Sequence, residues 1–250
     1  MTVSCEHGAQ CHDGASSSMA SAPEASRAWL LIEHPGPWPA EATEAELPGR
    51  LSAVVAAAGA LGIRVQLIRR PGRREPWTPE RPRTVYAGWT AGTMPWLRRG
   101  AISATPGSHA EPETGLELGL DALAAGRQPM FGVPASEPVF LVCVHGRRDV
   151  CCARFGVPLA QALAERHPGQ VWETTHVGGH RYAANLVIMP HGLYYGPVGI
   201  EEASAAIEAY TRGSIVPERY RGRAGQPHEV QAAEHARLTE TGSLTVAALT

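Results

Sequence analysis

Four residues in the second half of the chain have the types and spacing of metal ligands. Cys143 and Cys152 lie nine positions apart, and His176 and His180 follow with Gly178 and Gly179 between them. The cysteine separation is too wide for the CxxC knuckle of a structural zinc site or for a thioredoxin-type dithiol. Two thiolates and two imidazoles suit either Zn²⁺ or an iron–sulfur cluster. The eight residues between the cysteines favour the cluster, whose ligands must reach around two irons.

Each of these residues also has an ordinary structural interpretation when it is taken alone. A single buried cysteine is commonly a small apolar residue, and a single histidine a hydrogen-bonded one. The convergence of two cysteines and two histidines on neighbouring strand–loop units favours a metal site over that interpretation. Cys151 or Cys152 at the start of a helix also fits an activated thiol. A structural zinc protein and a thiol oxidoreductase are therefore the alternatives to a cluster protein.

Hydrophobic patterning places these residues in the second of two similar halves, each with the order β-α-β-β-β-α. In the first half we predict strands at 29–32, 63–68, 84–89 and 97–103 and helices at 45–61 and 116–125. In the second half we predict strands at 139–144, 170–175, 184–189 and 193–198 and helices at 155–166 and 201–210. The fold class is α/β, with two thioredoxin-like lobes as our prediction and one continuous sheet as the alternative.

The domain organisation follows from where this pattern starts, breaks and ends. We expect a flexible N-terminal tail at 1–26, an N-terminal lobe at 27–128, a lobe carrying the metal site at 138–213 and a C-terminal extension at 214–250. The extension contains a weak helix near 230–238 and an apolar segment, 244–249, that fits an edge strand. Cys5, His7, Cys11 and His12 resemble a metal cluster, but their polar tail is more typical of an unstructured segment.

Composition narrows the class of protein and its partners. The formal charge is −2, which gives no global reason to expect nucleic acid or an anionic membrane as a partner. Five cysteines with three of them close together do not resemble a secreted disulfide framework. The first twenty residues lack a basic segment followed by an apolar one, so we expect no secretory signal and a cytoplasmic location.

Basic side chains surround the predicted ligands. Arginine is the only cationic residue besides histidine in the chain, and four arginines fall in the two ligand-bearing segments: Arg147, Arg148, Arg154 and Arg181. They fit a docking surface for an acidic redox partner. The plainer interpretation is that arginine serves everywhere as this protein's surface cation.

The complete motifs resemble those of the sucrase/ferredoxin-like family of thioredoxin-like ferredoxins. The matching segments are Cys143-x-His-x-x-Arg-Asp-x-x-Cys152, Trp172-Glu-x-x-His176-x-Gly-Gly-His180-Arg181-x-Ala-x-Asn185, Pro190-x-Gly192-x-x-Tyr195-Gly196 and the N-terminal Trp29-Leu-Leu-Ile-Glu33-x-Pro35-Gly36-Pro37-Trp38. The resemblance covers roughly residues 26–240. The acidic pair of a glycosidase is not recognisable in the sequence, so nothing supports the "sucrase" in the family label.

The resemblance implies a [2Fe–2S] cluster held by Cys143, Cys152, His176 and His180, with Cys151 outside the ligand set. It implies an electron-transfer protein rather than a stand-alone enzyme, exchanging electrons with a reductase or flavoprotein. Replacing two thiolates by neutral imidazoles makes the centre less negative, so its reduction potential should lie above that of an all-cysteine ferredoxin. A ligating imidazole also keeps a second nitrogen that can ionise, which allows protonation to be coupled to reduction.

Overall fold

A computed structural model describes residues 21–45, 47, 51–72, 81–102 and 118–249. The strands among these residues are β1 (Ala28–Glu33), β2 (Arg64–Arg69), β3 (Arg83–Trp89), β4 (Trp96–Ile102), β5 (Val133–Pro134), β6 (Val139–Cys143), β7 (Val171–Thr174), β8 (Leu186–Met189), β9 (Leu193–Tyr195), β10 (Ser214–Ile215), β11 (Tyr220–Arg223) and β12 (Leu244–Thr245). Ten of them form one mixed sheet in the order β11-β9-β8-β6-β7-β2-β1-β3-β4-β5, and β10 and β12 form a small separate sheet. The helices are α1 (Leu51–Ala60), α2 (Leu120–Ala124), α3 (Val150–Arg166), α4 (Ile200–Thr211) and α5 (His228–Thr241).

The two halves of the chain have the same strand arrangement. In the first half β1 pairs parallel with β2 and antiparallel with β3, and β3 pairs antiparallel with β4. In the second half β6, β7, β8 and β9 repeat these pairings in the same order. A helix follows the first strand and another follows the last strand of each half. The predicted α/β class and the order β-α-β-β-β-α are therefore confirmed.

The halves are joined edge to edge in one sheet. Strands β2 and β7 pair antiparallel, with Ile68 opposite Thr174 and Arg69 opposite Glu173. The Arg69 guanidinium bonds the Glu173 carboxylate across this joint, with 2.6 Å between Nε and Oε2. The sheet is therefore continuous, as the alternative sequence prediction of one α/β sheet has it. The prediction that each half is a thioredoxin-like lobe stays a prediction.

The sheet curls until distant strands meet. Strands β3 and β8 lie five positions apart in the sheet, a separation of about 24 Å if the sheet were flat. Nevertheless, a Cβ atom added to Gly88 on β3 would lie only 3.5 Å from Cε of Met189 on β8. Successive strand residues belong alternately to two apolar clusters, as Leu30 and Leu31 do on β1, so both faces of the sheet are buried. Cys143 belongs to the same cluster as Leu31, together with Cys152 and Trp172.

Several element boundaries differ from the sequence predictions. Helix α3 begins at Val150 rather than at 155. The segment 244–249 contributes only β12, which pairs with β10 outside the main sheet, and then forms a 3₁₀ turn. Parts of the predicted helices 45–61 and 116–125, and the Cys5–His12 motif, lie outside the described residues.

Both chain ends contribute to the packed structure. The predicted tail lies outside the described residues up to position 20, and from there the chain is packed: the amides of Ser21 and Ala22 donate to the carbonyl of Arg221. Within the predicted extension, β11 pairs with β9 in the main sheet. The buried Arg223–Glu234 ion pair ties β11 to α5.

Two half-buried histidines are expected to make the stability of this fold sensitive to acid. Burial, reinforced by Arg83 beside His34 and Arg223 beside His191, lowers the pKa of each to about 4. Since an unfolded imidazole has a pKa near 6.5, the unfolded chain binds more protons as the pH falls from 6.5 to 4, so stability is lost over that range. We expect each histidine to reduce the free energy of unfolding by up to about 2 kcal/mol at pH 5 relative to pH 7.

Urea titrations at both pH values measure this loss. The variant His34→Asn/His191→Asn should lose less stability than the wild type between pH 7 and pH 5. An equal loss in the two proteins would assign the acid sensitivity to other groups.

Candidate metal centre

Three of the four predicted ligands meet where two parallel strands end. Cys143 is the last residue of β6, and His176 follows the neighbouring β7 by two residues. Helix α3 starts beside them, and Asp149 caps it by accepting a hydrogen bond from the Cys151 amide at 2.9 Å. Cys152 therefore lies in the first turn of α3, where the helix dipole favours a negatively charged sulfur.

Three donor atoms converge at this point. The Sγ atoms of Cys143 and Cys152 and a ring nitrogen of His176 all lie within 4.8 Å of one another. Cys152 Sγ is 3.6 Å from His176 Nδ1. Both sulfurs belong to fully buried side chains that form no disulfide. Two buried thiols and an imidazole at this spacing are a donor set that Zn²⁺ or an iron–sulfur cluster would accept.

His180, the fourth predicted ligand, lies beside this group rather than in it. Its ring centroid is 6.4 Å from that of His176, and its side chain is 37% exposed. His180 Nδ1 faces the Asp149 carboxylate at 3.9 Å. Asp149 thus caps α3 and faces a histidine.

The two buried cysteines are linked by a hydrogen bond between their sulfur atoms. This bond lowers the pKa of Cys143 well below its usual value despite burial. The same hydrogen bond, together with burial, raises the pKa of Cys152. A metal binds cysteines as thiolates, so its binding would displace any proton that the two sulfurs hold.

Cys151 points away from the donor group. It is 4% exposed and packs against Ala183 and Phe155. Burial and the nearby Asp149 carboxylate raise the pKa of its thiol. A raised pKa opposes activation of the Cys151 thiol as a nucleophile.

Residues distant in sequence hold the main chain of His176. Its carbonyl accepts hydrogen bonds from Arg64 Nη2 at 3.1 Å and Gln66 Nε2 at 3.2 Å, both on β2. Its amide donates to His145 Nδ1 at 3.1 Å, which leaves the other nitrogen of that ring to donate to the Pro39 carbonyl at 2.7 Å. His145 is therefore neutral, in keeping with a pKa lowered by burial.

A buried cation beneath the histidine loop escaped the sequence analysis. Arg221 on β11 is 1% exposed and lies over the rings of Tyr182 and Tyr194, with its Cζ 4.1 Å from the Tyr182 ring centroid. It donates to Asn185 Oδ1, whose amide in turn donates to the Gly179 carbonyl at 3.1 Å. Burial lowers its pKa to about 10. A guanidinium at this place adds positive potential next to the donor group.

Gly156 allows α3 to approach the end of β6. A Cβ atom at this position would overlap the carbonyl oxygen of Cys143 and lie 3.0 Å from its carbonyl carbon. The helix therefore contacts the strand backbone directly, one turn after Cys152. Sequence patterning had placed Gly156 in the predicted helix without a role.

Comparisons with known proteins agree with the motifs described above. A family model described as Sucrase/ferredoxin-like matches residues 19–222. The chain is 34% identical over 98 residues to the Altered inheritance of mitochondria protein 32 of Meyerozyma guilliermondii, covering 35% of each chain. It is 31% identical over 98 residues to the protein of the same name from Clavispora lusitaniae, covering 36% of each. The matched segment thus spans about a third of these relatives, and no solved structure matches the chain.

Among the described residues, no helix combines the length and apolar character needed to cross a membrane.

Proposed function

The chain belongs to the sucrase/ferredoxin-like family, and from that premise we propose that it binds a [2Fe–2S] cluster and transfers electrons. The observation that carries the proposal is the convergence of Cys143, Cys152 and His176 donor atoms within 4.8 Å. His180, on the exposed side of this group, is the fourth proposed ligand. When bound, such a cluster supplies a site that accepts and releases one electron.

The surrounding residues are suited to holding such a group. The buried sulfurs exclude water from one side of the site, and His180 reaches solvent on the other. His145, Arg64 and Gln66 fix the main chain from which the His176 ring projects. Arg221, buried nearby without an ion pair to any described carboxylate, favours the more negative, reduced state.

We also propose that each half is a thioredoxin-like unit. The support is that both halves share one strand order and one pattern of parallel and antiparallel pairing, with helices in the same places. The proposed electron partner is a reductase or flavoprotein. A cytoplasmic location remains a prediction from the sequence, and the names of the matched relatives refer to mitochondria.

A structural zinc site is the second candidate, because three donors within 4.8 Å of one another are close enough to bind a single ion. A visible spectrum of protein purified without oxygen, with iron, sulfide and zinc analysis, separates the two. A red-brown protein that bleaches with dithionite supports the cluster. A colourless protein containing one zinc supports the alternative and overturns the electron-transfer proposal.

Replacing His180 by cysteine tests its place among the ligands. Since a thiolate is a competent ligand that adds one negative charge, we expect His180→Cys to retain a cluster whose midpoint potential is lower by on the order of 100 mV. A redox titration followed by visible absorbance measures the shift. An unchanged potential would place His180 outside the ligand set, and the same titration of His176→Cys provides the comparison.

A further inference from the structure

Exposed arginines concentrate where the proposed site reaches solvent. The 3.9 Å contact between His180 Nδ1 and Asp149 Oδ2 brings the loop before α3 next to the segment that begins at His180. The basic side chains of these two segments are exposed. We call them the arginine collar: Arg147, Arg148, Arg154 and Arg181.

An exposed apolar side chain lies beside the collar. Val150, the first residue of α3, is 74% exposed and follows the loop that carries Arg147 and Arg148. Arg154 lies four residues further along the helix and therefore on the same face as Val150. An exposed apolar residue next to arginines matches the composition of protein interfaces, in which arginine is enriched and polar rims surround apolar centres.

The collar also continues towards His176. Arg148 and His176 line one cavity of about 250 Å³ beside the histidine. Both proposed histidine ligands are therefore adjacent to this basic surface.

Acidic groups near the collar are few and already engaged. Asp149 caps α3 and faces His180, and Glu41 pairs with Arg148. Within the described part of the chain, four arginines and these two carboxylates lie together at this surface, in a chain whose overall formal charge is −2. The positive charge is therefore concentrated at this surface. The use of arginine as the general surface cation does not explain that concentration.

We propose that the arginine collar is the docking surface for an acidic electron-transfer protein. This inference rests on the proposed function, since it places the partner's surface against the exposed edge of the site at His180. Arginine forms paired hydrogen bonds with carboxylates, and a basic surface steers an acidic partner during its approach. Val150 would contribute the apolar contact at the centre.

The first experiment needs no cluster. The full chain is titrated against fluorescein-labelled poly-L-glutamate, with binding followed by fluorescence anisotropy at increasing salt. We expect binding that weakens with salt, and a loss of affinity of about three- to tenfold in Arg147→Glu and in Arg181→Glu.

Arg127→Glu is the matched control, because it makes the same charge change elsewhere. Arg127 lies at the end of the sheet opposite to Cys143. The preceding residue, Gly126, packs against Trp89 at the end of β3, and Thr90, which follows Trp89, packs against Gly192 in the β8–β9 turn. That turn lies at the end of the sheet where β6 begins, whereas Cys143 is where β6 ends. Affinity should be unchanged in Arg127→Glu. No binding by the wild type, or an equal loss in this control, would overturn the docking surface.

The second experiment requires the cluster, so the visible absorbance band of the purified protein is recorded first. Dithionite-reduced protein is mixed with anionic ferricyanide or with cationic hexaammineruthenium(III), and its oxidation is followed by stopped flow. Arg181→Glu should slow the ferricyanide reaction about three- to tenfold and accelerate the ruthenium reaction, whereas Arg127→Glu should change neither. Equal rates in all three proteins would overturn the electron-transfer role of the collar. Absence of the band would instead overturn the proposed function, and the polyglutamate titration would still decide whether the collar binds acidic chains.

Discussion

Replacing Cys152 by alanine is expected to abolish the visible absorbance of the anaerobically purified protein, whereas replacing the adjacent Cys151 leaves most of it. The Cys152 sulfur lies 3.6 Å from His176 Nδ1 and within the donor group, and Cys151 packs outside it against Ala183 and Phe155. The substitution removes one of the four proposed protein ligands and leaves the buried Cys143 sulfur without its partner. Absorbance spectra with iron and sulfide analysis of both variants measure the difference.

The two cysteine variants control each other. Both remove a buried thiol of the same size from the first turn of α3, so the loss of packing is similar, about 1 kcal/mol or more in each. A spectrum that survives in Cys152→Ala and disappears in Cys151→Ala would exchange the roles of the two residues. Loss in both variants would indicate that the helix start, rather than one sulfur, determines cluster retention.

Gly156→Ala is expected to reduce both the stability of the metal-free protein and the amount of cluster that it retains. The added methyl group would overlap the Cys143 carbonyl oxygen, so α3 and the end of β6 must separate. Overpacking of this kind costs about 1–3 kcal/mol, and more where backbone rather than a flexible side chain must move. Because Cys152 lies one turn earlier on the same helix, its sulfur would move away from Cys143 with the helix.

Gly59→Ala is the control for this prediction. Gly59 lies near the end of α1, and a Cβ atom there would have nothing within 4 Å. Alanine in an exposed helix is favoured over glycine by up to about 1 kcal/mol, so this variant should be slightly more stable than the wild type. Urea unfolding of both variants and visible absorbance per protein measure the two effects. A Gly156→Ala protein with wild-type stability and full absorbance would show that the close contact of α3 with β6 is dispensable.

Local patterns in the sequence were sufficient to predict most of the secondary structure. Alternating or continuous apolar runs located seven of the ten strands of the main sheet to within two residues. The predicted strand 193–198 runs three residues past the end of β9, and β5 and β11 were not predicted. Helix α3 begins five residues before the predicted start at 155, because the Asp149 side chain caps it there. Its approach to the end of β6 depends on Gly156.

Pairings between distant segments were beyond what the sequence could predict. The residues that join β2 to β7, Arg69 and Glu173, are 104 positions apart and carry no shared pattern. The same limit applies to the site: spacing and motifs identified the cysteines and histidines, because chemistry requires those residue types. Arg64, Gln66 and Arg221 act through main-chain or electrostatic contacts that many residue types could make, so the sequence carried no signal for them.

The hydrogen bonds from β2 to the His176 carbonyl have a consequence for the order of folding events. Arg64 and Gln66 precede that histidine by 112 and 110 residues, so its carbonyl gains these partners only after the first half of the sheet has docked against β7. Contacts of such long sequence separation form late, since closing the intervening chain must come first. The donor group is thus completed by one of the last events of folding. A partly folded chain presents the two cysteines without a positioned imidazole, so the proposed cluster would bind fully only to the assembled molecule.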